Sequence, residues 1–202
     1  MPPIESSTTV LIIWAVVGYL MGSIPYGILL TRVMGLGNLR DIGSGNIGAT
    51  NVLRTGSKKA AALTLLLDAA KGAVAILLAR MIAAEDAVQV AALFAMLGHC
   101  YPVWLRFQGG KGVATFLGIM LALAWPVGIG CCILWLLAAA ITRVSSMGGL
   151  AAASGSTILL VVLGYGYALL LGIALTIILY VRHRSNIIRI KAGTEPKIGQ
   201  KG

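Results

Sequence analysis

The stretch from Gly112 to Thr142, GVATFLGIMLALAWPVGIGCCILWLLAAAIT, holds no charged residue. A membrane-spanning helix needs about 20 mostly apolar residues. This run is therefore too long for one comfortable crossing and slightly short for two. Trp125-Pro126 stand near its middle, and proline disfavours helix in the residue before it. The run reads as a tight hairpin of two short helices. A second uncharged stretch, 147–180, repeats the pattern with Gly164-Tyr165-Gly166 as its breaker. Three further runs, 10–31, 60–79 and 87–105, are each apolar enough for one crossing. The expected fold is all-α: a polytopic integral membrane protein of about seven short transmembrane helices, one domain over residues 1–202.

Composition points the same way. Hydrophobic residues make up 58% of the chain and charged residues 11%, against about 25% charged in a soluble domain. Too little charge remains to cover a water-facing surface, and 202 residues leave no room for a folded soluble domain beside the bundle. The net charge of +10 would suggest nucleic acid in a soluble protein; in a membrane protein such an excess is usually topological, and no nucleic-acid partner is expected. Glu5 is the only charge before the first apolar run, so a cleaved signal peptide is not expected. Cys100, Cys131 and Cys132 lack metal-ligand spacing and read as buried thiols, so neither a metal nor a disulfide framework is indicated.

The lysines and arginines orient the bundle. Loop 32–59 carries five of them, segment 106–111 carries Arg106 and Lys111, the turn 143–146 carries Arg143, and the tail from 182 carries six. With seven helices all of these share one side. Arg80 stays opposite with Glu85 and Asp86, and Lys71 lies inside a helix. The positive-inside rule then places the N-terminus outside and the C-terminus in the cytoplasm. Loops 32–59 and 106–112 and the tail 182–202 share the cytoplasmic face.

Three polar strings lie on that face. In Gly43-Ser44-Gly45-Asn46-Ile47-Gly48-Ala49-Thr50-Asn51, glycines let the backbone turn tightly and present N–H groups as an anion nest. Ser44, Asn46, Thr50 and Asn51 add hydroxyl and amide partners, and Arg54 offers a fork that matches phosphate. An ordinary polar turn would draw on the same residue types; the density of donors at a membrane edge favours a site. Gly109-Gly110-Lys111-Gly112 is not a nucleotide-binding P-loop, because Leu105 and Gly112 stand where that motif needs Gly and Ser or Thr. What remains is a flexible glycine turn with one lysine, opening a helix near Val113 whose N-terminus favours an anion. In Arg182-His183-Arg184-Ser185-Asn186, His183 and Asn186 are three apart and would share a face of a continuing helix; a solvated basic tail is an equal alternative. His99 reads as a packed helix end. Asp68 and Lys71, mid-membrane at i, i+3, read as a structural ion pair. Gly18 and Gly22 read as a helix-packing pair.

The strings IGSGNIGATNVLR, GHCYPVWLRFQGGKGVAT and RHRSNIIRIKAGTE resemble, in order, the three signature motifs of the bacterial acyl-phosphate:glycerol-3-phosphate acyltransferases, the PlsY family. The resemblance extends from Ser23-Ile24-Pro25-Tyr26-Gly27 to Glu195. It implies a seven-helix enzyme of the bacterial inner membrane that moves a fatty acyl chain from acyl phosphate to the 1-hydroxyl of sn-glycerol 3-phosphate, giving lysophosphatidate and phosphate without a metal or other cofactor. By position it implies substrate-site roles for Ser44, Asn46, Thr50, Asn51 and Arg54, a phosphate-binding turn of Gly109, Gly110, Lys111 and Gly112, and His183, Asn186 and Glu195 from the tail. Of these, Ser44, Lys111, His183 and Asn186 are the catalytic candidates. Gln108 departs from the Lys or Arg usual in that family, so charge beside the turn is either lower or supplied elsewhere.

That chemistry suits the residues. Two phosphate anions repel each other and require a positive site, and a lipid tail explains a site at a membrane edge. Acyl phosphate carries its own good leaving group, so catalysis reduces largely to positioning and charge stabilisation, with His183 or a substrate phosphate oxygen as base. A transporter for a phosphorylated metabolite is the main competitor, but transporters bind near the midplane, whereas these polar groups cluster at one face. A lipid-binding structural protein would not need Ser44, Asn46 and Asn51 beside the glycines. The expected partners are acyl phosphate, glycerol 3-phosphate and membrane lipid, and the expected state is a monomer.

Overall fold

The computed structural model describes residues 1–198; Lys201, counted above with the basic tail, lies outside them. Ten α-helices are present among the described residues: α1 (Thr8–Gly22), α2 (Tyr26–Val33), α3 (Ala49–Val52), α4 (Lys58–Ile82), α5 (Glu85–Cys100), α6 (Val113–Leu123), α7 (Trp125–Thr142), α8 (Ser145–Val162), α9 (Leu169–Arg182) and α10 (Arg184–Lys191). No strand occurs among the described residues. The long uncharged stretches break where the sequence suggests, at Ala124 before Trp125-Pro126 and at Leu163–Tyr165. Run 10–31, expected as one helix, also breaks, at Ser23-Ile24-Pro25. Pro25 caps α2, and two side chains take up the carbonyls of the break: Trp104 Nε1 donates to Ser23 O at 3.0 Å and Lys71 Nζ to Ile24 O at 2.9 Å.

Among the described residues five helical segments are long and apolar enough to cross a membrane: Thr8–Val33, Lys58–Ile82, Glu85–Leu105, Trp125–Thr142 and Ser145–Val162. They become six if Gly166–Arg182 and Arg184–Lys191, bent by 63°, count as one. The expected seven therefore differ in α6, which has 11 residues, about 16 Å against a hydrocarbon core of about 30 Å. Its shortness has a local cause. Thr115, in its first turn, donates to Asp68 O at 2.9 Å, and Asp68 lies ten residues, about 15 Å, along α4. The segment before α6 thus descends into the bundle, and the helix begins only where that descent ends.

Small residues set the helix contacts. A Cβ added to Gly18 or Gly22 would strike the carbonyl oxygens of Ala91 and Ala95 at 2.4 and 2.0 Å. These paired registers make α1 and α5 parallel, in the close approach that small residues allow. Gly118 lies equally close to Ala69 O, and with the Thr115 bond this makes α4 and α6 parallel. Buried aliphatic, Phe116 and Met side chains of α4 to α9 fill the centre.

Candidate active site

The three polar strings meet at one end of the bundle. Thr50 Oγ1 lies 3.1 Å from Ser145 Oγ, Arg40 Nη2 donates to Gln108 O, and Arg182 donates through Nε to Gly110 O and through Nη2 to Gly109 O, both at 3.0 Å. The turn at Arg143 joins them, its carbonyl accepting from Ile198 N at 2.7 Å. At the other end Asp86 accepts from the backbone N–H groups of Glu5 and Ser6 at 2.9 and 2.8 Å, and Arg80 pairs with Glu85 at 3.6 Å.

A cleft of about 510 Å³ opens here, lined by Ser44, Gly45 and Asn46 from the first loop, Gln108, Gly109 and Lys111 from the glycine turn, and Arg182, Arg184, Ser185 and Ile188 from the tail, with Arg40 beside them. Asn51, expected among the ligand-facing residues, is instead 2% exposed and braces the loop from within. Its Nδ2 donates to Leu39 O at 3.1 Å, while its Oδ1 accepts from Ser44 N at 3.1 Å and Arg54 Nη1 at 3.3 Å. Gly43 is needed where it is: φ is +52°, and a Cβ would lie 2.5 Å from Arg54 Cδ.

The glycine turn folds back on the end of α5, Gly109 N and Gly110 N donating to Cys100 O and His99 O at 3.1 and 3.0 Å. Gly110 rests against the His99 ring. His99 Nδ1 in turn lies 3.7 Å from Asp68 Oδ1, and Asp68 pairs with Lys71 at 2.7 Å. The expected ion pair is thus formed, and the chain from Lys71 through Asp68 and His99 supports the turn from below. Gly112 caps α6, as expected for a turn that opens a helix at Val113. Burial first, with Arg189, Arg54 and Arg182 adding to it and Glu195 opposing, pushes Lys111 down to about 8.

The tail does not continue straight. The bend falls at His183, which ends α9 and starts α10, so His183 and Asn186 do not share the face of one uninterrupted helix. Both are buried, at 1% and 3% exposure. His183 Nδ1 lies 2.8 Å from Leu179 O. A carbonyl only accepts, so Nδ1 carries the hydrogen and Nε2 of the neutral ring keeps its lone pair. Burial, aided by the charges of Lys111 and Arg182, pushes this imidazole down to about 4. Glu195 gathers the tail: Oε1 accepts from Ser146 Oγ at 2.7 Å and from Asn186 Nδ2, and Oε2 accepts from Arg189 Nε at 2.7 Å. Burial raises the Glu195 pKa, but these three donors outweigh it and the net shift is downward. Arg182 enters the site from the third string, whereas Arg40 and Ser146 belong to it without lying in any of the three. For Arg40 the density of arginines around the motifs is the sequence signal, and Ser146 has none.

A helical membrane bundle with a cationic, glycine-lined cleft sunk into one end defines a class, an integral membrane protein built to receive anions at its surface. Residues 12–193 match the model of the glycerol-3-phosphate acyltransferase family. The chain is 66% identical over 201 residues to a glycerol-3-phosphate acyltransferase of Ruegeria pomeroyi, covering 100% of this chain and 99% of that one. It is 64% identical over 198 residues to that of Roseobacter denitrificans, covering 98% and 99%. A crystal structure of PlsY, an integral membrane glycerol 3-phosphate acyltransferase in its glycerol 3-phosphate form, superposes with a TM-score of 0.88 at 35% identity, covering 94% of this chain and 96% of that one. Its lysophosphatidic acid form gives 0.85 at 33% identity, covering 94% and 95%. The chain belongs to the glycerol-3-phosphate acyltransferase family and is an enzyme of lipid biosynthesis.

Proposed function

We propose that the protein transfers a fatty acyl group from acyl phosphate to the 1-hydroxyl of sn-glycerol 3-phosphate, releasing lysophosphatidate and inorganic phosphate. The observation that carries this reading is the joint lining of one cleft by Ser44, Asn46, Gly109, Lys111, Arg182 and Arg184. Two phosphate-bearing substrates repel each other, and a wall of this sign offsets that repulsion. In this reading Ser44 and Asn46 hold the donor phosphate together with Lys111 and Arg54. His183, Asn186 and Glu195 order the acceptor side, and Thr50 and Gly112 fix the loops around it. Asn51 acts through Ser44 and Arg54.

The hydroxyl oxygen attacks the acyl carbon, the C–O bond to phosphate breaks, and phosphate leaves with the electron pair. Holding two reactants aligned supplies up to about 7–11 kcal/mol of barrier reduction, and a general base adds about 10²–10⁴-fold. His183 Nε2, or an oxygen of the donor phosphate, takes the hydroxyl proton. Transfer is direct, without an acyl-Ser44 intermediate. The cleft faces the cytoplasm, the N-terminus lies outside, α1 with α2 counts as one crossing, α4 and α5 as two and α6, α7, α8 and α9 as four, giving seven in a monomeric bundle of the inner membrane.

The test supplies purified protein in a lipid mesophase with glycerol 3-phosphate and compares acyl phosphate with acyl-CoA. Lysophosphatidate formed from acyl phosphate alone, with stoichiometric phosphate release, is the expected result. Use of acyl-CoA would overturn the donor, and an acyl group trapped on Ser44 in a single turnover would overturn direct transfer.

A further inference from the structure

The glycine turn presents three successive backbone carbonyls, those of Gln108, Gly109 and Gly110, and every one accepts from a guanidinium. Arg182 takes the latter two, and Arg40 takes Gln108 O while its Nη1 donates to Gly45 O at 3.1 Å. A carbonyl oxygen is the negative end of its peptide dipole. A row of three beside the cleft would repel a phosphate, and a guanidinium on that row reverses the sign of the wall. An arginine has five N–H donors, so two bonds to carbonyls leave its charge and the rest of its fork for an anion. Arg40 lines the cleft with Ser44 and Lys111, while the side chain at Gln108, on the same wall, carries no charge.

We propose that Arg40 is a substrate-binding residue, which supplies the positive charge on the Gln108 side of the cleft and binds a phosphate group of the substrates there. The assignment rests on the acyl-transfer reading for which substrates these are. Burial and the nearby Arg182 guanidinium lower the Arg40 pKa from its ordinary value, which fits two cations brought close on one wall. Arg182 differs from Arg40 in joining only tail and turn. Arg40 joins the first loop to the turn, so its position couples the two strings that hold Ser44 and Lys111.

The experiment compares wild type, Arg40→Ala, Arg40→Lys and the double variant Arg40→Ala with Gln108→Lys. KM and kcat are measured for each substrate, and thermal unfolding is measured with and without glycerol 3-phosphate. Arg40→Ala is expected to raise KM for at least one phosphate substrate about tenfold or more, with kcat changed less than threefold. Arg40→Lys should fall between it and wild type, and Gln108→Lys should recover most of the lost affinity by returning a cation to the same wall. An unchanged KM in Arg40→Ala, or a fall in kcat alone that Gln108→Lys leaves uncorrected, would reduce Arg40 to a loop brace and overturn the proposal. If wild type transfers no acyl group from acyl phosphate, the reaction assignment fails by itself. The Arg40 inference is then read from stabilisation by glycerol 3-phosphate, which Arg40→Ala should abolish and Gln108→Lys restore; stabilisation equal to wild type in Arg40→Ala would overturn it.

Discussion

Alanine at Gly110 should nearly silence the enzyme, and a second alanine at His99 should bring part of the activity back. A Cβ on Gly110 would stand 2.1 Å from His99 Nε2, 2.8 Å from Cε1 and 3.1 Å from Cδ2. Ordinary contact begins near 3.4 Å, so turn and ring must separate by more than 1 Å. The ring has nowhere to go, being 4% exposed beside Asp68. The turn must move instead, against its bonds to Cys100 O and His99 O and the two from Arg182. Overpacking of this kind costs about 1–3 kcal/mol of stability, and a displacement of about 1 Å at a reacting site can cost about 10²-fold in rate. Gly110→Ala should therefore lose about 100-fold in kcat/KM for phosphate release while remaining extractable and monodisperse. His99→Ala alone opens space and should cost less. The double variant should exceed Gly110→Ala by about tenfold, a coupling that residues out of contact do not show. A fully active Gly110→Ala would refute the idea that the height of the turn governs the reaction. A double variant no better than Gly110→Ala would remove the His99 ring as the obstruction.

Lys111 gives opposite signs for binding and stability. With its pKa near 8, KM for glycerol 3-phosphate should rise between pH 7.5 and 9 as the ammonium is lost, and Lys111→Arg should flatten that limb. Between about 8 and the ordinary lysine value near 10.4 the unfolded chain holds a proton that the folded one has released, so this group makes the ligand-free protein more stable as pH rises there; thermal unfolding across that window checks it. Asp68→Ala leaves Lys71 buried beside Ile24 O without its carboxylate and should destabilise by about 3–5 kcal/mol, whereas Asp68→Leu with Lys71→Met should recover much of that loss; unfolding in detergent separates the two. Glu195→Gln weakens the acceptor shared by Ser146, Asn186 and Arg189. It should expose the tail after Arg184 to protease and lower kcat/KM at least tenfold, and normal activity with a protected tail would count against Glu195 as its anchor.

The helices were legible because lipid allows few alternatives. Uncharged runs had to be helical, and Pro126 and Gly164 marked where they turn. The three strings fall on one side whether runs 112–142 and 147–180 each double back or each cross once, and the charge of Arg143 then favours the doubling. The depth of the glycine turn was not legible. It depends on the bond between Thr115 and Asp68 O, 47 residues apart, and nothing in either residue type announces it. The bonds of Arg40 and Arg182 escaped for the same reason: their acceptors are backbone carbonyls 68 to 73 residues away, in loops with no period to read. Asn51 was read by type as a ligand for substrate, and only its burial shows that its amide is used up inside the loop. At His183 no proline or glycine marks the bend, so a continuing helix was the natural expectation.

Depth is what turns this collection of loops into a site for charged chemistry. On a flat membrane surface the arginines of the tail would be screened by water and salt over about 8–10 Å, and their pull on a phosphate would be weak. The turn that leads down to Thr115 withdraws Lys111 from water, as its lowered pKa shows, and charges interact more strongly there than in water. The same depth raises the cost of any carboxylate left facing the cleft. The site end carries two acids, Asp41 and Glu195. Asp41 accepts from Asn38 Nδ2 at 2.8 Å, outside the cleft, and Glu195 is held by Ser146, Asn186 and Arg189. The wall that a phosphate meets is therefore positive at every ionised side chain that lines it: Arg40, Lys111, Arg182 and Arg184. Ile188 and Val181, 60% and 59% exposed, lie on the tail side of the same cleft, where α10 turns away from α9. A substrate with one charged end and one apolar tail can thus place its phosphate in the sunken turn while its chain leaves over α10 into lipid. That predicts a length-dependent gain in affinity from the acyl chain that the uncharged polar variant Ile188→Ser reduces without altering KM for glycerol 3-phosphate.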